Sequence, residues 1–142
     1  MNALVHLLPV QPVVLVILLP AIFAVVLTLT PGYRLGARLN MGGSLATFGA
    51  ALLLLVERPA AQDGLLFVDD LNVVFVVLGS FVGFTTATFS ASYIGHEIET
   101  GKLTPTYVRF YHGMYQALTF AMNLGLTANN IGLMWVAVEL AT

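Results

Sequence analysis

One carboxylate and one line of polar side chains carry the chemistry that this sequence offers. Glu139 stands in an apolar run, Ile131–Thr142, about nine residues past Asn130. On a helix that places it roughly 13 Å into a hydrocarbon layer of about 30 Å. A charged carboxylate at that depth costs at least about 2.5–3.5 kcal/mol unless it is protonated, hydrated or paired. Burial favours the protonated carboxyl and a nearby cation favours the ionised one, so a moving cation would load and release a proton. The five basic residues, Arg34, Arg38, Arg58, Lys102 and Arg109, are all expected in loops or at a helix end, away from that depth. Glu139 is therefore neutral, hydrated, or paired with a base on a helix outside this sequence, and it is read as a proton-handling carboxylate. A structural hydrogen bond and a chain end that reaches the surface are the other readings.

The second feature is a stripe. Arg109, His112, Gln116, Thr119, Asn123 and Thr127 follow one another at spacings of three, four, three, four and four residues. Side chains at those spacings share one face of a helix. Lipid penalises such a face, so it must meet other helices or water. His112 is the member well within the stripe that titrates near neutrality when unperturbed. His112, Gln116, Thr119 and Asn123 thus form a candidate proton path, with hydrogen bonding between helices as the competing account.

The elements that must hold these groups are membrane helices. Of 142 residues, 58% are hydrophobic and 8% charged, and twelve charges cannot cover a soluble surface. A water-soluble enzyme, a nucleic-acid binder and a disordered tail are excluded. The absence of cysteine removes disulfides, thiolate metal sites, iron–sulfur clusters and c-type haem. Nothing suggests a phosphate loop, flavin or quinone site, and His6, His96 and His112 are too scattered for a metal site. No cofactor and no metal is expected.

The fold class is all-α, a polytopic transmembrane bundle. Helices are predicted over residues 13–30, 39–56, 71–93 and 108–127, with a fifth beginning at Ile131. Its 12 residues up to Thr142 reach about 18 Å, too short to cross, so residues 1–142 read as the N-terminal portion of a longer membrane protein. The alternative is a half-buried stub. The first run lacks the basic flank of a signal peptide and is read as a retained helix, kinked at Pro20. Grouping alternate loops puts Arg34, Arg38, Lys102 and Arg109 on one side and Arg58 on the other. That bias predicts a multi-pass protein of the cell membrane with its N-terminus outside. Small residues at every fourth position, Gly79, Gly83, Ala87 and Ala91, and Gly42, Ala46 and Ala50, are expected to be helix-packing faces. Asp69 and Asp70 are expected to cap the third helix rather than bind a metal.

Several segments carry a family resemblance. Ser90-Ala-Ser-Tyr-Ile-Gly-His-Glu-Ile98, Gly101-Lys-Leu-Thr-Pro105 and Phe110-Tyr111 resemble the third-to-fourth helix region of hydrogenase-4 component F. Thr127-Ala-Asn-Asn-Ile-Gly-Leu-Met-Trp-Val-Ala-Val-Glu-Leu-Ala-Thr142 is similar to that family's fifth helix, and Leu66-Phe-Val-Asp-Asp-Leu71 to the loop before its third. The likeness runs from about Phe67 to Thr142, and the first two helices agree only in hydropathy. It extends to the antiporter-like subunits of complex I (the NADH dehydrogenase subunit 5 type) and of multisubunit sodium/proton antiporters. The resemblance implies that Glu139 matches a glutamate that pairs with a lysine on a later, broken helix and helps to move protons. It implies as partners the lipid bilayer and other membrane subunits of a hydrogenase or NADH dehydrogenase complex, whose redox centres lie elsewhere. Sodium in place of protons, in an antiporter subunit, and a non-transporting assembly or scaffold protein are the alternative functions.

Overall fold

The computed structural model describes residues 11–56 and 64–142. Glu57, Arg58 and Asp63, on which half of the loop-charge argument rests, lie outside the described residues, as does His6. Five helices follow in order: α1 Pro12–Leu29, α2 Tyr33–Val56, α3 Asp70–Glu99, α4 Pro105–Thr127 and α5 Ile131–Ala141. Proline opens α1 and α4, where its missing N–H is not needed.

Three boundaries differ from the hydropathy reading by three residues or more, the least of them at α4, which opens at Pro105 rather than Val108. Helix α2 begins at Tyr33 rather than Leu39, because Pro31-Gly32, with Gly32 at φ 88°, completes the turn at once. Arg34 and Arg38 therefore sit on exposed positions of the first turns of α2, not in a loop. Helix α3 runs on to Glu99, beyond Tyr93. Its last turn closes when the Lys102 and Leu103 N–H groups donate to Glu97 O and Gly101 adopts φ 75°. At 30 residues, or about 45 Å, α3 is longer than a hydrocarbon core is thick. Its start is a capping box: Asp69 Oδ1 accepts from the N–H groups of Leu71 and Asn72, and Asn72 Oδ1 accepts from Asp69 N–H.

Helix α1 lies against α2 and α4, α3 lies against α2, and α5 lies against α4. An antiparallel bridge between Leu66 and Ala128 ties the segment before α3 to the α4–α5 turn. Phe67 N–H donates to Thr127 O at 2.8 Å and Asn129 N–H to Leu65 O at 2.9 Å. Those two connections thus share one end of the bundle, leaving the α1–α2 and α3–α4 turns at the other. Near the bridged end an apolar cluster forms from Val13, Val16, Ala51, Leu54, Val68 and Val73.

Outward positions are strongly apolar, among them Leu29 at 73% exposed, Phe89 at 77% and Trp135 at 63%. A surface of this kind belongs in lipid or against other membrane helices. Helices α1, α2 and α3 are long and apolar enough to cross a membrane. Helix α4 has 23 residues, enough for a crossing, and buries much of its polar face against its neighbours.

The packing face of α2 is only partly the predicted one. Ala50 is buried as expected, but Gly42 and Ala46 are exposed, and Gly36, Asn40, Gly43, Ser44 and Thr47 are buried in their place. Contact decides this: a Cβ on Gly43 would meet the Phe23 ring of α1 at 2.6 Å, whereas one on Gly42 would meet nothing within 4 Å. The same logic operates at Gly113, where a Cβ would strike Thr28 Cγ2 and approach Ala24 O at 3.3 Å. These glycines let α1 approach both α2 and α4.

Candidate functional site

The face of α4 predicted to be polar is turned into the bundle. His112 is 1% exposed, Gln116 0%, Asn123 2% and Thr127 1%, while Thr119 and Arg109 are half-buried. A matching line on α2, Asn40, Ser44 and Thr47, is buried opposite. Gln116 joins the two helices. Its Nε2 donates to Asn40 Oδ1 at 2.8 Å, Ser44 Oγ at 2.9 Å and Asn40 O at 3.2 Å.

Asn123 serves α1. Its Nδ2 donates to Val16 O at 3.0 Å. That carbonyl lies four residues before Pro20, which has no N–H to offer it. In hydrocarbon an unmet carbonyl is costly, and the side chain of a neighbouring helix supplies the missing donor. Thr119 and Thr127 stay within α4, their hydroxyls donating to Tyr115 O at 3.0 Å and Asn123 O at 2.8 Å. His112 differs from all of these. Its imidazole packs against Gly36 and edge-on to Tyr111, and neither ring nitrogen has a hydrogen-bond partner among the described residues.

Four partners in this region escaped the sequence reading. Asn40 and Ser44 are four apart in an apolar helix, a signal as legible as the α4 stripe. Gly36 and Tyr115 carry no such signal: one accommodates His112, and the other donates its hydroxyl to Gly83 O at 2.6 Å to join α4 and α3.

Glu139 lies apart from the stripe. Helix α5, started by Asn130 Oδ1 accepting from Leu133 N–H at 2.7 Å, packs on α4 through Ala137. Glu139 is exposed on another face, and no side chain among the described residues pairs with its carboxylate. Beside it, α3, α4 and α5 border an apolar groove of about 790 Å³, lined by Phe75, Gly79, Gly83, Leu118, Met122 and Ala137 among others. The predicted stripe residues Gly79 and Gly83 thus face this groove, while Ala87 is buried. No group of three or more His, Asp or Glu side chains suited to a metal occurs among the described residues.

No family model and no solved structure matches the chain. A curated protein does: over 127 residues, 89% of this chain, it is 51% identical to the "Hydrogenase-4 component F homolog" of Methylacidiphilum infernorum (isolate V4). The chain resembles hydrogenase-4 component F. The match covers 26% of that relative's length. A matched stretch of 127 residues reaches into the first two helices, so the likeness extends beyond the region from Phe67 onward.

Proposed function

We propose that this chain is the N-terminal membrane part of a proton-translocating, antiporter-like subunit of the component F type, in a complex I-related oxidoreductase. Glu139 is the proton-handling carboxylate. One observation carries the reading: an ionisable side chain stands on the open face of an otherwise apolar helix, with no partner among the described residues. Such a group in a membrane is costly unless another element meets it. In the proposed assembly that element is a base on a further helix, and its approach and retreat toggle the proton.

The α4 stripe divides under this reading. Gln116 and Asn123 hold helices together, Thr119 and Thr127 bond to their own helix, and His112 is the member kept for a hydrated route. Redox centres belong to other subunits, and the N-terminus faces outward, with Arg34, Arg38, Lys102 and Arg109 on the cytoplasmic side.

The test is Glu139→Gln in the full-length subunit, assembled with its complex and reconstituted into sealed vesicles. Proton pumping is expected to fall at least about tenfold, as for loss of a group that transfers the proton itself, while the complex stays assembled. Pumping at the unaltered rate overturns the proposal. Replacing protons by sodium as the measured ion in the same vesicles separates the antiporter alternative.

A further inference from the structure

We propose that the α2–α4 interface contains a built water site, bound by His112, Gln116 and Asn40. Three side chains at or near zero exposure contribute polar atoms that no described residue satisfies: His112 Nδ1 and Nε2, Gln116 Oε1 and Asn40 Nδ2. Their orientation follows from the bonds already made. Gln116 Nε2 is anchored by Asn40 O, Asn40 Oδ1 and Ser44 Oγ, which leaves Oε1 as its free end. Because Asn40 Oδ1 accepts that bond, Nδ2 is the free end of Asn40.

The residues that carry these atoms lie within one turn of α4 and the facing turn of α2. His112 and Gln116 are four apart on α4, with Cβ atoms about 5–6 Å from each other, a span one water bridges. Gly36, which meets His112, and Asn40, which meets Gln116, are four apart on α2. The set suits water. The two nitrogens of a neutral imidazole, one donor and one acceptor, point apart, so a given water meets one of them, while Asn40 Nδ2 donates and Gln116 Oε1 accepts. A water donates twice and accepts twice, and buried waters typically make about three bonds to groups of this kind. A metal or alkali cation fits poorly, since no carboxylate is buried among the described residues and two of the atoms are donors. Each buried group left unmet would cost about 1–3 kcal/mol.

This deepens the reading of His112 as the hydrated member of the stripe and is independent of Glu139. The site would give a fully buried imidazole a proton-exchange partner near the α1–α2 turn.

Water-edited solid-state NMR of the full chain in lipid bilayers, with ring-labelled histidine, tests it. His112 is assigned by its loss in His112→Phe, and exposed His96 serves as the internal standard. Magnetisation from water is expected to reach the His112 nitrogens several-fold faster than the backbone amides of buried Val108 and Ala121. In Gln116→Leu that transfer is expected to fall at least by half. A His112 ring as slow as those amides, or a ring bonded directly to a protein group, overturns the proposal, and so does transfer unchanged in Gln116→Leu. The wild-type measurement decides alone if the Gln116 variant does not fold. Because no pumping is measured, failure here leaves the Glu139 proposal standing, and the reverse also holds.

Discussion

Gln116 on α4 reaches three acceptors on α2, whereas Glu139 on α5 reaches no side chain among the described residues. Both are polar residues in apolar helices, and both would be costly if left facing lipid. The chain answers the amide nitrogen of Gln116 from within, by laying Asn40 and Ser44 opposite. It leaves Glu139 open. Polar groups answered from within act as glue, so their loss is expected to register as stability. A group with no answer from within is the one whose loss should register as function.

The strongest way to break the glued region is to force its helices apart. Gly113→Leu puts a side chain where Thr28 and the backbone of Ala24 already lie. It is expected to cost about 3 kcal/mol, the upper end for overpacking, measured by steric trapping or denaturant titration in bicelles. Gly42→Leu, placed in open space, is the control and is expected to cost little. Equal losses at both positions would erase the distinction between the buried and exposed faces of α2 and α4.

Next in size is Gln116→Leu. It strips a donor from three acceptor atoms of two buried residues on α2 and is expected to cost about 2 kcal/mol. Adding Asn40→Leu removes much of the orphaned polarity, so the double variant should lose less than the sum of the singles. Full additivity would mean that the pair does not act across the interface.

The stripe that contains Gln116 was legible because a face of a helix depends only on spacing, and Arg109 to Thr127 keep to three and four. That it turned inward was also legible, from the cost of the alternative. Its partners were not. Gly42, Ala46 and Ala50 share the spacing of a packing face, yet Gly43 is the residue that the Phe23 ring requires to be small. Such a choice depends on the bulk of a neighbouring helix, which local periodicity does not contain. The start of α2 is not legible from hydropathy, which marks where a helix enters lipid and not where it begins, and Arg34 and Arg38 are helical and exposed. The cap at Asp69 was legible because it needs only residues three apart.

Asn123 and Pro20 show the same limit more sharply. The sequence reveals a proline that cannot donate and an asparagine on a distant helix, and only packing joins them. Asn123→Leu is expected to cost about 1 kcal/mol, in the range measured for hydrogen bonds between membrane helices. In a Pro20→Ala background the restored backbone N–H can return to Val16 O, so the same substitution should cost markedly less. An undiminished penalty there would mean that Asn123 stabilises the bundle by some contact other than the orphaned carbonyl.

The smallest expected effect on stability is at Glu139. Glu139→Gln keeps the shape of an exposed side chain that bonds to no described residue, so the isolated chain should change by no more than about 0.5 kcal/mol. A loss like that of Gln116→Leu would mean that the carboxylate is already answered within the chain, and the contrast with α4 would fail. The informative combination is a stable bundle with impaired proton pumping in the assembled complex. Glu139→Asp sharpens it further. That change keeps the charge but draws the carboxylate back by one methylene, so partial pumping is expected if a base on another helix must reach it. Full pumping in Glu139→Asp with none in Glu139→Gln would locate the requirement in the proton alone rather than in the distance to a partner.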